Sequence, residues 1–286
     1  MDALARLSSA EIAAVTTLVD AATAADGVRP LNDEAVLGLR RPGETHWLLS
    51  LEEGVVGYAQ YSPVFGSGQL LVHPAHRRRG HGRALLDAVL DAGASGVWAF
   101  GNLPGARALA AASGLREVRG LLIMERPLTT ADAHPVAAPP GVVLRPYRDS
   151  DAEDLLAVNA AAFEHHPEQG SFSLADLAAR QAEPWWDPAG LIVAEGVVPG
   201  EASGMLGFHW TKRHDAATGE VYVIGVHPRA HGRGLGTVLL DAGLAHLAAS
   251  GCERVILYVE SDNPAVRLYE RTGFAVTHTD VLYARP

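Results

Sequence analysis

Apolar positions along this chain follow two rhythms, one of period near 3.6 and one near 2. Ile12, Val15, Leu18 and Val19 recur at helical spacing behind Ser9 and Glu11, which predicts a helix over Ser9–Ala24. Trp47–Leu51 and Val55–Tyr61 are short β-type runs with glycine between them. The pattern then predicts a strand at Leu70–Val72, a helix at Arg83–Asp91, a strand at Val97–Phe100, a helix at Ala106–Ala112 and a strand at Leu121–Glu125. The same order returns later. A helix at Asp151–Ala162 precedes strands at Leu191–Ala194, Met205–Trp210 and Val221–Val226, a helix at Thr237–Ala249, a strand at Val255–Val259, a helix at Ala265–Arg271 and a last strand near Val276–Tyr283. Helices interleaved with strands in this way predict an α/β fold with a mixed sheet.

The recurrence extends to residue identity. His73-Pro74 matches His227-Pro228, 154 residues later. At that same offset Gly80 and Gly82 match Gly234 and Gly236, and Leu85-Leu86-Asp87 matches Leu239-Leu240-Asp241. Ser113-Gly114-Leu115 matches Thr272-Gly273-Phe274. Two copies separated by about half the chain predict two like domains rather than an array of short repeats. The Ala- and Pro-rich stretch Thr129–Gly141 lacks apolar periodicity and reads as a semi-stiff linker. The predicted domains are 1–128 and 141–286, joined by a linker at 129–140.

Composition narrows the class. The chain has 286 residues, 48% hydrophobic and 20% charged, with a net charge of −10. It is too apolar for a disordered chain, and no run reaches the roughly 18–20 apolar residues of a membrane span. The acidic balance argues against nucleic acid, whose phosphates select a basic face. One cysteine makes neither an internal disulfide nor a zinc cluster, and the start of the chain has no signal architecture, so we expect a cytoplasmic protein without a metal. A monomer is expected.

The candidate chemistry sits in two glycine-rich turns between strand and helix. They are Arg77-Arg78-Arg79-Gly80-His81-Gly82 and His231-Gly232-Arg233-Gly234-Leu235-Gly236. A helix start offers unpaired N–H groups and the positive end of a dipole. Glycine lets a diphosphate approach the backbone, and Arg79 or Arg233 adds a forked donor. Each turn therefore reads as a pyrophosphate cradle. Neither fits the dinucleotide pattern G-x-G-x-x-G or a Walker loop.

These turns, followed by Asn263-Pro264-Ala265-Val266-Arg267-Leu268-Tyr269 and Gly273-Phe274, resemble the GCN5-related N-acetyltransferase (GNAT) superfamily. The resemblance covers nearly the whole chain, twice, and implies two tandem GNAT domains with acetyl-CoA as co-substrate. It implies CoA contacts at Leu70, Leu71 and Val72, and at Arg78, Arg79, Gly80, His81, Gly82 and Arg83. In the second copy it implies them at Ile224, Gly225 and Val226, at His231, Gly232, Arg233, Gly234, Leu235, Gly236 and Thr237, and at Asn263, Pro264, Ala265, Val266, Arg267 and Leu268. His231 stands where the superfamily has Gln or Arg, and the interval from Asn263 to Tyr269 is one residue short.

Amide formation from a thioester needs a neutral amine, donors for the oxyanion and a hydrogen bond to the departing thiolate. Glu220 opens the strand into the second cradle and reads as the base. Its counterpart, counted back from the cradle, is Gly66. Tyr269 is the superfamily's usual partner for the leaving group, and its counterpart is Ala110. A phenol pKa near 10 against about 8.5 for a thiol makes full proton transfer uphill by roughly 2 kcal/mol, so Tyr269 is expected to donate a hydrogen bond instead. Backbone N–H groups around Gly225-Val226 would face the oxyanion. The first half thus reads as CoA-binding and non-catalytic, the second as catalytic.

Longer strings in the second half, including Trp210-Thr211-Lys212 and Gly219–Pro228, resemble the actinobacterial mycothiol synthase family. That family acetylates the cysteinyl amine of a cysteine–glucosamine–inositol conjugate (Cys-GlcN-Ins). The resemblance implies acceptor contacts at Glu34, Glu168, Lys212, Glu220 and Tyr258; Lys212 is the chain's single lysine. His227 replaces the family's aspartate before proline. The alternatives are a GNAT enzyme for another small amine and a non-catalytic acyl-CoA sensor.

Overall fold

The computed structural model describes residues 1–164, 167–170, 172–196 and 204–286, without the side chains of 167 and 168. It divides into two compact units. The first holds Met1–Leu122 together with Glu260–Asn263 and His278–Pro286; the second holds Ile123–Val259 and Pro264–Thr277.

In the first unit, helices α1 (Ser9–Asp26) and α2 (Asp33–Gly38) precede strands β1 (Thr45–Leu51), β2 (Gly54–Ser62) and β3 (Ser67–Val72). Helix α3 (His81–Asp91), strand β4 (Gly96–Ala99), helix α4 (Pro104–Ala112) and strand β5 (Arg116–Pro127) follow, β5 passing into the second unit at Ile123. The cap of α1 is Ser8, one residue earlier than the sequence pattern suggests. Its hydroxyl accepts from the Glu11 N–H while the Glu11 carboxylate accepts from the Ser8 N–H, a reciprocal box that fixes the start. α1 lays Val15, Leu18, Val19 and Ala22 on one face of the sheet against Tyr58 and Leu71. α3 lays Leu85, Leu86 and Val89 on the other, against Trp47, Ala59 and Val97. Each such fully buried side chain contributes about 1.5–3 kcal/mol.

The second unit repeats the plan. It contains β6 (Val142–Pro146), α5 (Ala152–Ala162), α6 (Pro167–Gly170), α7 (Leu174–Gln181), β7 (Leu191–Gly196), β8 (Gly204–Arg213), β9 (Thr218–Val226), α8 (Leu235–Ala249), β10 (Arg254–Glu260) up to Val259, α9 (Val266–Arg271) and the first residues of β11 (Ala275–Ala284), whose remainder belongs to the first unit. α8 buries Leu235 and Leu239 against Ile192 and Ala194. α5 and α7 cover a cluster containing Phe208 and Trp210. Strand β6 escapes the periodicity reading because it is short and ends in Pro146; it pairs with β7 as an edge strand, where a residue without an N–H is tolerated. Helix α2 also escapes it because six residues are too few for a 3.6 period to show, and α7, though Leu174, Leu177 and Ala178 keep helical spacing, spans only eight residues. The stretch 129–141 carries neither helix nor strand, and Asp132 ties it to Arg126 and to the Thr129 N–H.

The end of the chain leaves the unit in which its sequence copy lies. Val281–Ala284 pair antiparallel with Gly96–Ala99 of β4 in the first unit, and the Asp280 carboxylate accepts from the Gly101 N–H.

In both units a parallel strand pair opens into a fork. β3 and β4 pair only at Ser67↔Gly96 and Gly68↔Val97. β9 and β10 pair at Thr218↔Arg254, Gly219↔Val255 and Glu220↔Ile256. Beyond these points the strands continue without pairing, which leaves backbone donors and acceptors facing the gap.

Candidate active site

The cradles sit at the far ends of the forks and are built alike. Gly80 caps α3 with φ 89° and Gly234 caps α8 with φ 72°, both left-handed, and no side chain caps either helix start. The uncapped N–H groups are the donors a phosphate needs. The two loops differ one turn earlier. Arg78 holds φ 62°, a conformation costly for a residue with a Cβ, where the second loop has Gly232 at φ 76°.

The histidine departures have local explanations. His227 Nδ1 accepts from the Arg229 N–H at 3.1 Å, and His73 Nδ1 from the Ala75 N–H at 3.2 Å. A neutral imidazole thus caps the turn as a short carboxylate would. Burial first, then Arg229 and His231, push the His227 pKa down, which keeps it an acceptor. His231 Nε2 lies 3.0 Å from the Val226 carbonyl, where Arg77 Nε donates to the Val72 carbonyl at 3.0 Å. Both side chains tether the loop to its strand. His231 therefore braces the cradle.

In the first unit the fork and cradle enclose a cavity of about 690 Å³. Leu70, Leu71 and Val72 line one wall, Trp98, Ala99 and Phe100 the other, and Arg78, Gly80, Gly82 and Arg83 the cradle end. That volume lies within the usual range of cofactor-sized pockets. On the β3 side of that fork no described residue carries a titratable side chain, while Tyr283, paired with Val97, lines the cavity. The cradle count gives Gly66 and the last paired residue is Gly68, neither with a side chain; neighbouring Gln69 is occupied with Asn32. Ala110 packs in the core.

The second unit places a carboxylate there. Glu220 is the last β9 residue paired with β10, is 7% exposed, and lies opposite Lys212 across β8. Its Oε2 is 2.7 Å from His214 Nε2. Sequence reasoning missed His214; the hairpin register, with Lys212 opposite Glu220, is the signal that brings it near. The Lys212 ammonium lies over the rings of Trp185 (5.1 Å) and Tyr222 (5.4 Å), and the Tyr222 hydroxyl accepts from Arg180 Nε at 2.9 Å. Trp185, which the sequence offers as a ring to stack on sugar or simply to pack, thus stands under Lys212, and Tyr222 and Arg180 join it there.

Tyr269 is buried on α9 against Phe274, ring centroids 5.8 Å apart. Its carbonyl accepts from the Phe274 N–H at 3.0 Å, as the Ala110 carbonyl accepts from the Leu115 N–H at 3.0 Å. The matching bonds confirm that these positions correspond. Burial pushes the Tyr269 hydroxyl up to about 12. Full proton transfer to a thiolate is then uphill by about 5 kcal/mol, more than double the sequence-based figure, so the hydroxyl is a hydrogen-bond donor at neutral pH.

The remaining acceptor residues are not all gathered with these. Tyr258 is half exposed on β10, two residues past the last pairing with β9. Glu34 lies on α2 of the first unit, in its first turn, and pairs with Arg41 at 3.1 Å. The Glu168 side chain lies outside the described residues. Asn263 precedes α9, its N–H bonded to the Glu260 carbonyl. Cys252 is buried. Among the described residues no group of three His, Cys, Asp or Glu could hold a metal, and no helix is long and apolar enough to cross a membrane.

The acetyltransferase (GNAT) family model matches residues 158–274, and an acetyltransferase (GNAT) domain model matches 42–114. Mycothiol acetyltransferase of Thermomonospora curvata is 50% identical, over 98% of this chain and 95% of that protein. Mycothiol acetyltransferase of Thermobispora bispora is 49% identical, over 95% of both. The chain belongs to the mycothiol acetyltransferase family. Its tandem GNAT fold is also seen in two solved structures. A GCN5-related N-acetyltransferase from Sphaerobacter thermophilus matches with TM-score 0.69 at 24% identity, over 99% of this chain and 96% of the other. A tandem GNAT protein from the clavulanic acid biosynthesis pathway matches with TM-score 0.65 at 21% identity, over 98% and 96%. At these identities the two structures speak for the fold alone.

Proposed function

We propose that the chain transfers acetyl from acetyl-CoA to the cysteinyl amine of Cys-GlcN-Ins, giving mycothiol and CoA, and that the second half performs the chemistry. The observation that carries the reading is Glu220, a buried carboxylate at the mouth of the second fork with only glycine at the matching places of the first. Glu220 takes the proton that frees the amine lone pair. The amine nitrogen attacks the thioester carbonyl while backbone N–H groups around Gly225-Val226 stabilise the oxyanion. As the C–S bond breaks, Tyr269 donates a hydrogen bond to the thiolate, and the second proton that the nitrogen loses in becoming an amide passes through solvent to that thiolate. Lys212, held by Trp185 and Tyr222, supplies a cation for acceptor hydroxyls, with Glu168 and Tyr258 as further contacts; Glu34 is kept only as an acceptor contact that the resemblance implies. The cradles at 78–83 and 231–237, with 70–72, 224–226 and 263–268, hold CoA. Residues 1–128 form a CoA-binding, non-catalytic domain, 129–140 the linker and 141–286 the catalytic domain.

The test is release of CoA thiol with acetyl-CoA and Cys-GlcN-Ins, against a panel of amino sugars and peptides. The reading expects Cys-GlcN-Ins to be preferred. Glu220→Gln should lower kcat about 10²–10⁴-fold, and Tyr269→Phe about 10–100-fold, the effect of losing one donor to developing charge. Preference for another amine would reassign the acceptor. Binding of CoA with no turnover on any amine would favour a sensor.

A further inference from the structure

We infer that His214 is a positioning residue for Glu220, fixing which carboxylate oxygen faces the substrate; this rests on Glu220 being the base. An ionised carboxylate can only accept hydrogen bonds, so at 2.7 Å His214 Nε2 must carry the proton and donate it to Oε2. That commits Oε2 to the turn and leaves Oε1 as the oxygen that can receive the amine proton.

The backbone makes the arrangement specific. The His214 N–H donates to the Thr218 carbonyl at 3.0 Å, closing the β8–β9 hairpin, and the Asp215 carboxylate accepts from the Ala217 and Thr218 N–H groups at 2.8 Å each. The turn therefore has its own supports, and the imidazole is free for the carboxylate diagonally across from it. The exposures divide the labour: the His214 side chain is 35% exposed and that of Glu220 is 9%. A buried base needs a partner that holds its charged form without covering its reactive oxygen, and His214 approaches from the solvent end. The first unit has no need of such a group, since its fork has glycine in place of the base.

A hydrogen bond to the charged form favours it, so removing His214 makes the carboxylate easier to protonate. Among the described residues, charged groups on the elements beside Glu220 include Lys212 opposite it and Arg213 opposite Gly219 on β8, Asp215 in the turn, and Arg254 of β10, whose Nε donates to the Thr218 hydroxyl at 3.0 Å; none is altered in the variants below.

The experiment compares His214→Ala, His214→Gln and Glu220→Gln with the unaltered chain, using acetyl-CoA and Cys-GlcN-Ins across pH 5.5–9. His214→Ala should lower kcat about 10–100-fold, leave KM for acetyl-CoA within about 2-fold, and move the acid limb of the kcat profile to higher pH. His214→Gln, whose amide can donate the same bond, should recover most of kcat. If His214→Ala is folded and keeps kcat and the acid limb, the inference is overturned. If it does not fold, His214→Gln decides: a folded variant with near-normal kcat and acid limb supports the role, and one with the losses expected of alanine overturns it. Should Glu220→Gln itself retain full turnover, the assignment of the base fails. Loss in Glu220→Gln without loss in His214→Ala refutes the positioning role alone.

Discussion

The two halves share a fork, a cradle and a tether from loop to strand, yet differ at the two side chains on which the proposed mechanism rests. Where the second half places Glu220 at the mouth of its fork, the first has Gly66 by count and Gly68 by pairing. Where the second has Tyr269, the first has Ala110, held by the same main-chain bond. The first half nevertheless keeps a 690 Å³ cavity and a strained Arg78 at its cradle end. A backbone can thus retain a binding geometry after losing the groups that would use it, because cradle and fork are made largely by main chain. Catalysis is the more fragile property, resting on a few side chains.

The comparison breaks most sharply at the cradles. Gly234→Val forces a branched residue into a left-handed conformation and covers the donors, and should reduce turnover more than about 100-fold, the scale of losing an oxyanion-type donor set. Gly80→Val should leave turnover within a few-fold while removing one equivalent of bound CoA. Steady-state rates and calorimetric stoichiometry measure both. Equal loss of turnover in the two variants would end the division into catalytic and binding halves.

A second contrast concerns buried histidines. His209 lies fully buried under Gly243, where a Cβ would come within 2.0 Å of its ring, and burial drives its pKa down to about 4. His46 of the first unit is also fully buried, its pKa lowered by burial, but its Nδ1 meets the Tyr58 hydroxyl at 2.8 Å. A histidine whose folded pKa is depressed binds its proton more readily when unfolded. Stability is therefore full above about pH 6.5 and falls as the pH drops towards 4. For His209 the loss is about 3 kcal/mol over that window. Unfolding midpoints in denaturant between pH 7.5 and 4.5 should show the slope, and His209→Gln should flatten it. An unchanged slope in that variant would place the acid sensitivity elsewhere.

The smallest expected effect compares Arg78 with Gly232. Arg78→Gly should relieve left-handed strain and raise stability by up to about 1 kcal/mol, while weakening CoA binding in the first cavity. Gly232→Arg should cost a similar amount in the second. Thermal shifts with and without CoA test the pair. If Arg78→Gly weakens neither binding nor strain, the arginine does not serve the first cradle.

Much of the molecule was already readable from residue order alone. Repeat spacing, strand and helix periods and the glycine cradles are local properties, set by backbone sterics and side-chain spacing within a few residues. The contrasts Glu220 with Gly66, and Tyr269 with Ala110, were equally legible, since an aligned repeat exposes what one copy lacks. Only the tertiary structure could decide the rest. The Glu220–His214 bond depends on hairpin register, the cage of Lys212 on Trp185 arriving from another segment, and the tethering role of His231 on the reach to the Val226 carbonyl. The destination of the last strand, Val281–Ala284 against β4, is likewise invisible in a pattern of alternating residues. Periodicity fixes which face of a strand is buried. It leaves open which of two like sheets provides the partner, because that choice is settled by long-range pairing and packing.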